Sequence, residues 1–291
     1  MGLRQQLRKI TFLRIAYRKI RNTVQIIGDK VLKFYYNLSG TAYVESHYAR
    51  VNNFGDLFSK DLLKFFGYKL LYVDNYKKSR MSLTGSILQM YHQNFSGFIM
   101  GSGFIDERFN RSDNKWQVKI IRGPLSKAQT GFTKDCLFGD PGILASVVFP
   151  INKKKKYTLG VLPHCVDYDY VKQLDFEGKV KIISARQTAL AVANEIQECD
   201  YIASSSLHGL IFADSYGIPN IHLRFGDKLI GGNHKFKDYY LGMNSKHEFI
   251  SFDNQSSKTI IAHCKNRFTT EYIQQKQNDM QMIYKDVLSK L

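Results

Sequence analysis

From Thr41 onward, short runs of unbroken apolar residues alternate with segments patterned as helices, and this alternation constrains the fold more than any other feature. The runs predict strands at Ala42–Ser46, Lys69–Val73, Gly97–Met100, Val118–Ile121, Tyr157–Leu162, Val180–Ile183, Tyr201–Ala203 and Asn220–Leu223. Helical patterns fall between them at Leu57–Phe66, Ser126–Gly131, Thr188–Cys199 and Leu210–Tyr216. Strands apolar on both faces need cover on both faces, which helices in crossover connections supply. The fold class is therefore α/β with doubly wound parallel sheets.

At Phe149–Lys156 a proline and an asparagine precede four consecutive lysines, which reads as a linker. Two Rossmann-like domains with a ligand cleft between them are expected. Residues 41–150 form the first and 151–265 the second, with a C-terminal helix over 266–291. At 291 residues and 44% apolar content the chain can bury a substantial core. The four cysteines are scattered with no Cys-x-x-Cys pair, which argues against a disulfide framework or a zinc site. No apolar run is long enough to span a bilayer and the N-terminus lacks a signal-peptide pattern, so a cytoplasmic protein is expected.

The formal net charge of +17 is densest at the N-terminus, in a segment of its own, residues 1–40. Residues 1–36 carry Arg4, Arg8, Lys9, Arg14, Arg18, Lys19, Arg21, Lys30 and Lys33 against Asp29 alone. Leu3, Leu7, Ile10, Leu13 (or Arg14), Tyr17, Ile20, Val24 and Ile27 recur at steps of three or four. This is a basic amphipathic helix. Either it lies on an anionic membrane or it packs on the body with its basic face in water.

Five segments place small and charged residues where strands end, which is where open parallel sheets bind ligands. Asn53-Phe54-Gly55-Asp56 opens a helix whose N-terminus favours anions, though Asn53 or Asp56 could equally be an ordinary cap. Gly101-Ser102-Gly103 permits close approach of a phosphate or sugar. In Arg122-Gly123-Pro124-Leu125-Ser126 the arginine ends a buried strand and is expected to reach into the cleft, where its planar fork suits a carboxylate or phosphate. Gly139-Asp140-Pro141 reads first as a turn, and His164, in Pro163-His164-Cys165, follows an apolar strand. The most telling segment is Ser204-Ser205-Ser206-Leu207-His208-Gly209. It leads a strand into a helix start where amides and hydroxyls can cradle an anion, with His208 placed to serve as acid or base. Arg224, Asp227, Lys228, His234, Lys235 and Lys237 follow as a cationic cluster, and no His/Cys/Asp set has metal-ligand spacing.

In this order the segments resemble the polysaccharide pyruvyltransferase family, whose pattern runs Asn-x-Gly-Asp, a glycine-rich strand end, Arg-Gly-Pro-x-Ser, Gly-Asp-Pro, Pro-His and Ser-x-x-His-Gly with Gly-x-Pro after it. The resemblance covers Asn53 to Pro219, and Ser204–Asn220 looks most like the branch that puts ketal pyruvate on exopolysaccharides. One departure is Ser206, where several relatives have arginine. Arg224 or a lysine could supply that charge. The resemblance implies a GT-B-like arrangement of the two domains, phosphoenolpyruvate as co-substrate with no resident cofactor, and a lipid-linked or polymeric sugar as acceptor. It also implies a functional lysine, which aligns with either Lys228 or Lys235. The roles expected are His208 as acid/base and Arg122 on the carboxylate or phosphate. Ser204, Ser205, Ser206, Leu207 and Gly209 would form the cradle, His164 would be the second choice for the acid/base or position the acceptor, and Asn53 and Asp56 would contact the acceptor or hold the cleft closed. A nucleotide-sugar glycosyltransferase would suit the same architecture. Two other classes are a noncatalytic membrane-associated scaffold and a nucleic-acid binder, the latter disfavoured because aromatics do not interleave with the basic residues.

Overall fold

A computed structural model describes residues 23–291 apart from 51, 93, 112–114, 151 and 228. The first part of the expected basic helix, residues 1–22, and Lys228 lie outside the described residues. The chain begins with a helix, α1 (23–39), and continues into β1 (Tyr43–Ser46), α2 (Phe54–Phe65) and β2 (Lys69–Tyr72). Next come β3 (Met81–Ser82), β4 (Phe98–Met100), β5 (Gln117–Ile121), α3 (Pro124–Thr130) and β6 (Leu137–Phe138). Strands β3-β4-β5-β6 form a parallel sheet, and β1 pairs with β2 in parallel. The two pieces abut where Arg80 N–H donates to Glu45 O at 2.7 Å and Ser46 Oγ donates to Met81 O at 2.7 Å, giving the order β2-β1-β3-β4-β5-β6.

The second half runs α4 (Ala145–Val148), β7 (Tyr157–Leu162), α5 (Tyr168–Val171), β8 (Val180–Ile182), α6 (Ala189–Gln197), β9 (Cys199–Ser204), α7 (Leu207–Ser215), β10 (Asn220–Arg224), α8 (His234–Gly242) and β11 (Phe249–Ser251). Its sheet is parallel in the order β8-β7-β9-β10-β11. In each half the second strand lies on one side of the first and the third strand on the other. The connections after the first and third strands therefore diverge and open a crevice. Two further helices, α9 (Ser257–Ala262) and α10 (Thr270–Leu288), complete the chain.

Local chemistry fixes the helix starts that matter. Asn53 Oδ1 accepts from Gly55 N–H at 3.0 Å, so it caps α2, and Asp56 in the first turn complements the helix dipole. Pro124 opens α3 and Thr269 caps α10. Helix α7 is buried on every side, including Leu207, Leu210, Ile211 and Phe212. A continuous apolar cluster joins α2, α7 and α10. Phe212 meets Phe54 and Phe58 edge-on at 5.0 and 5.2 Å. Helix α10 returns to the first sheet, where Tyr284 Oη donates to Met100 O at 2.7 Å and Gln277 Nε2 donates to Ile143 O at 2.8 Å.

The α/β class with parallel sheets is as expected, and each expected strand is present to within two residues at either end. Strands β3, β6 and β11 and helix α8 were not anticipated. Helix α7 also starts at Leu207 rather than Leu210. The expectation that the N-terminal helix might pack on the body through its apolar side is overturned for its described part. Asp29, Lys33 and Tyr36 are the half-buried residues of α1, while Val24, Ile27, Val31, Phe34 and Leu38 are exposed.

Replacing Phe212 with alanine removes the ring that ties α7 to α2. Urea denaturation should show a loss of about 3–5 kcal/mol, against less than about 0.5 kcal/mol for Leu241→Ala on the exposed side of α8.

Candidate active site

The N-termini of α2 and α7 meet. A Cβ built on Gly55 would lie 2.0 Å from His208 Nδ1, so the imidazole rests directly on the α2 backbone and only glycine leaves room for it. Phe54 supplies an edge to the same ring at 6.3 Å between centroids. Asn53 Oδ1 and Ala185 O already take the Gly55 and Phe54 amides of α2, but each helix start still presents the positive end of its dipole, so an anion placed between them feels both. His208 Nε2 stands 3.7 Å from Asp140 Oδ1. Nε2 and Asp140 Oδ2 are both buried without a hydrogen-bond partner among the described residues, while Asp140 Oδ1 accepts from Gly142 N–H at 2.9 Å. Buried polar atoms are rarely left so, and the two groups face each other.

Arg122 sits at the end of β5, as expected, but it does not reach into open space. It is fully buried and three of its donors are engaged: Nε to Asp238 Oδ2 at 3.0 Å, Nη1 to Ser86 Oγ at 2.6 Å and Nη2 to Phe104 O at 2.5 Å. Asp238 also accepts from Ser126 N–H at 3.0 Å and from Ser126 Oγ at 2.6 Å. Gly103 and Gly123 make this packing possible. A Cβ on Gly103 would meet the guanidinium at 2.4 Å, and one on Gly123 would meet Asp238 O at 1.8 Å. The Arg-Gly-Pro-x-Ser motif is thus a clamp that grips α8 through Asp238.

One turn earlier on α8 is Lys235. Its side chain is buried and, among the described residues, no carboxylate lies within ion-pair distance. Burial, and then the neighbouring Arg122 guanidinium, pull its ammonium down to about 8, against an opposing pull from Asp56 and Asp167. Asp56 is raised by burial and pulled back by His208 and Lys235. His164 is pushed down to about 4 by burial, then by Lys235 and His208, so it is neutral near pH 7. These mutual effects mark Asp56, His164, Lys235 and His208 as electrostatic neighbours near the strand ends.

The serine run divides its labour. Ser204 Oγ donates to Leu162 O at 2.6 Å and accepts from Ser206 N–H at 3.0 Å. Ser205 Oγ donates to Asp167 Oδ2 at 2.6 Å and accepts from His164 N–H at 2.9 Å. Both therefore build the crevice between β7 and β9. The Ser206 side chain makes no capping bond at the start of α7, so its hydroxyl is the uncommitted one. Gly209 lets Ser204 Oγ pack against α7, where a Cβ would come within 2.4 Å of it, and Leu207 is buried. Gly101, at φ +114°, turns the chain against Pro141. Ser102 is buried and shares a 2.7 Å hydrogen bond with Ser82. These two, like Arg122, are framework in this arrangement rather than ligand contacts. Arg224 lies at the rim, where it pairs with Asp227 and covers the Phe249 ring at 5.8 Å.

Asp140, Asp238, Ser86 and Asp167 are site residues that the motif reading did not assign. Asp238 had a legible signal, an acid three residues after a lysine and so on one helical face with it. Ser86 had none. The fold is α/β with parallel sheets, and these residues gather at the carboxyl ends of the strands, where open sheets of this kind bind ligands.

The chain belongs to the polysaccharide pyruvyl transferase family, whose sequence model matches residues 46–226. It is similar to an uncharacterized protein of Acanthamoeba polyphaga mimivirus, 34% identical over 167 residues covering 53% of this chain and 57% of that one. It is also similar to the succinoglycan biosynthesis protein ExoV of Rhizobium meliloti (strain 1021), 28% identical over 127 residues covering 42% of this chain and 40% of that one. The matched regions thus span about half the length of these curated relatives.

Asp238→Ala strands a buried guanidinium and should cost about 3–5 kcal/mol in urea denaturation. Arg122→Met combined with Asp238→Leu removes both charges and should recover most of that loss, which a simple packing defect at Asp238 would not allow.

Proposed function

We propose that the protein transfers pyruvate from phosphoenolpyruvate to two hydroxyls of a sugar in a cell-surface or exopolysaccharide intermediate, forming a cyclic ketal. The observation that carries this reading is Lys235: a buried lysine with no carboxylate within ion-pair distance among the described residues, on the helix that Arg122 fixes through Asp238. A small polyanion is the ligand such a site lacks, and family membership makes phosphoenolpyruvate the fitting one.

In this mechanism Lys235, the Ser206 hydroxyl and the free amides at the start of α7 hold the phosphate and carboxylate. His208 delivers a proton to the methylene carbon, and C2 becomes electrophilic as the first sugar hydroxyl adds and gives up its own proton. The second hydroxyl then forms a bond to C2 as the C2–O bond to phosphate breaks, and its proton leaves with phosphate. Asp140, 3.7 Å from Nε2, can accept a hydrogen bond from the protonated ring and so fix its orientation. His164 is neutral and positions the acceptor. Asn53 and Asp56 line the acceptor side. Arg122 acts through Asp238 as a positioning residue.

The test is purified protein with labelled phosphoenolpyruvate and a glycan acceptor. Phosphate release matched by acid-labile label in the glycan supports the reading, whereas turnover only with a nucleotide sugar replaces it. His208→Gln should lower turnover by more than about tenfold with little change in donor affinity.

The pH dependence follows from Lys235. Its ammonium is charged below about 8 and lost above it, so kcat/KM for phosphoenolpyruvate should fall about tenfold per pH unit beyond that point. Lys235→Arg keeps its charge throughout and should abolish that alkaline limb, and Lys235→Met should raise KM below about pH 8 and approach the wild type above it.

A further inference from the structure

Helix α1 turns its polar side to the protein and its apolar side to water. Arg50 Nη2 bonds Asp29 at 2.6 Å, Lys33 Nζ bonds Glu45 at 2.6 Å and Tyr43 Oη donates to Asn37 Oδ1 at 2.9 Å. These contacts dock α1 by charge. Val24, Ile27, Val31, Phe34 and Leu38, at steps of three, four, three and four, are 62%, 56%, 61%, 69% and 77% exposed. They form a single apolar stripe on the far side from Asp29 and Lys33. A helix that seeks only to pack on its own protein would do the reverse. The same three-and-four spacing runs back through Leu3, Leu7, Ile10, Tyr17 and Ile20 in the sequence.

Beside α1 lies a groove of about 840 Å³, bounded by Lys30 and Lys33 on the helix, Lys77, Lys78 and Arg80 before β3, and Lys290. Two of the acids in its wall, Asp29 and Glu45, are already neutralised by Arg50 and Lys33. Among the described residues Lys30, Lys77 and Lys78 have no ion-pair partner. The groove sits where the chain enters β3, β4 and β5, at the opposite ends of these strands from Ser86, Gly103 and Arg122.

We infer that α1 docks on an anionic lipid bilayer, with its apolar stripe in the acyl boundary and the lysines of the neighbouring groove drawing the body toward the headgroup charge. An apolar helix stripe on a strongly basic body asks for an apolar layer rimmed by negative charge, which an anionic bilayer offers. A second copy of the chain fits poorly, because an isologous contact would set the same lysines against each other in a protein of net charge +17. The face lies apart from the crevice and does not depend on the reaction assigned to it.

The experiment is sedimentation of the full chain with vesicles of phosphatidylcholine alone or phosphatidylcholine with phosphatidylglycerol, at low and high salt. Binding to the anionic vesicles that weakens with salt is expected, with little on neutral ones. Each surface lysine contributes about fivefold to such partitioning, so Lys77→Glu with Lys78→Glu should lower it at least tenfold. Val31→Glu with Phe34→Glu should do the same. Turnover of phosphoenolpyruvate on a soluble acceptor should be unchanged in both variants. The proposal is overturned if the wild-type chain ignores anionic vesicles or if both variants bind as it does. It is also overturned if the Val31/Phe34 variant instead dissociates a dimer in solution. Vesicle binding without any turnover would leave the docking face standing and remove the proposed reaction.

Discussion

The buried ion pair between Arg122 and Asp238, 3.0 Å long and closed to water, holds the rest of the site in place. An arginine out of water is costly unless it is paired and hydrogen-bonded, and Asp238, Ser86 Oγ and Phe104 O take a bond from each of its three nitrogens. The result is directional. The pair joins the end of a strand in the first sheet to a helix of the second half. Ser126 completes the carboxylate's shell, so α8 has one seat against the first sheet. A second tether, from Tyr239 Oη to Asp214 at 3.1 Å, holds the same helix against α7. Lys235 rides on α8 one turn before those two anchors.

The electrostatic logic follows from that placement. Burial first, and then the neighbouring Arg122 guanidinium, disfavour the charged form of Lys235 and depress its ammonium. Energy of that kind is relieved by a bound anion, which is how a preorganised site gains affinity without reorganising. The motif glycines serve the same end by omission. Gly55, Gly103 and Gly123 each remove a Cβ exactly where a polar group of the site must touch backbone, against His208, Arg122 and Asp238.

Much of this was written legibly in the chain. Fully buried strands such as β7 and β9 have apolar runs with no alternative use, so their places were clear. Two-residue strands such as β3 and β6 are too short to carry a period, and β11 is an exposed edge, so neither kind leaves a pattern. Helix α8 was hidden for a more instructive reason. Its buried face includes Lys235 and Asp238, so the polar residues stand where apolar ones mark a helix. The same inversion misdirected the reading of Arg122. An arginine at a strand end suggests a ligand contact, and only the three-dimensional partners reveal a clamp. The helix start with His208 was legible because Leu-His-Gly after three serines has little packing rationale. Its acid neighbour Asp140, distant in sequence, was legible only as a turn.

The most direct measurement is the titration of Lys235 itself, followed by NMR of ammonium-labelled protein with Lys235→Met to assign the signal. The account predicts one lysine titrating near 8 in the free protein and moving upward when phosphoenolpyruvate is added. If the Lys235 signal titrates with the ordinary surface lysines, or stays in place when the trianion is present, the ammonium is not the heart of an anion site and the account fails.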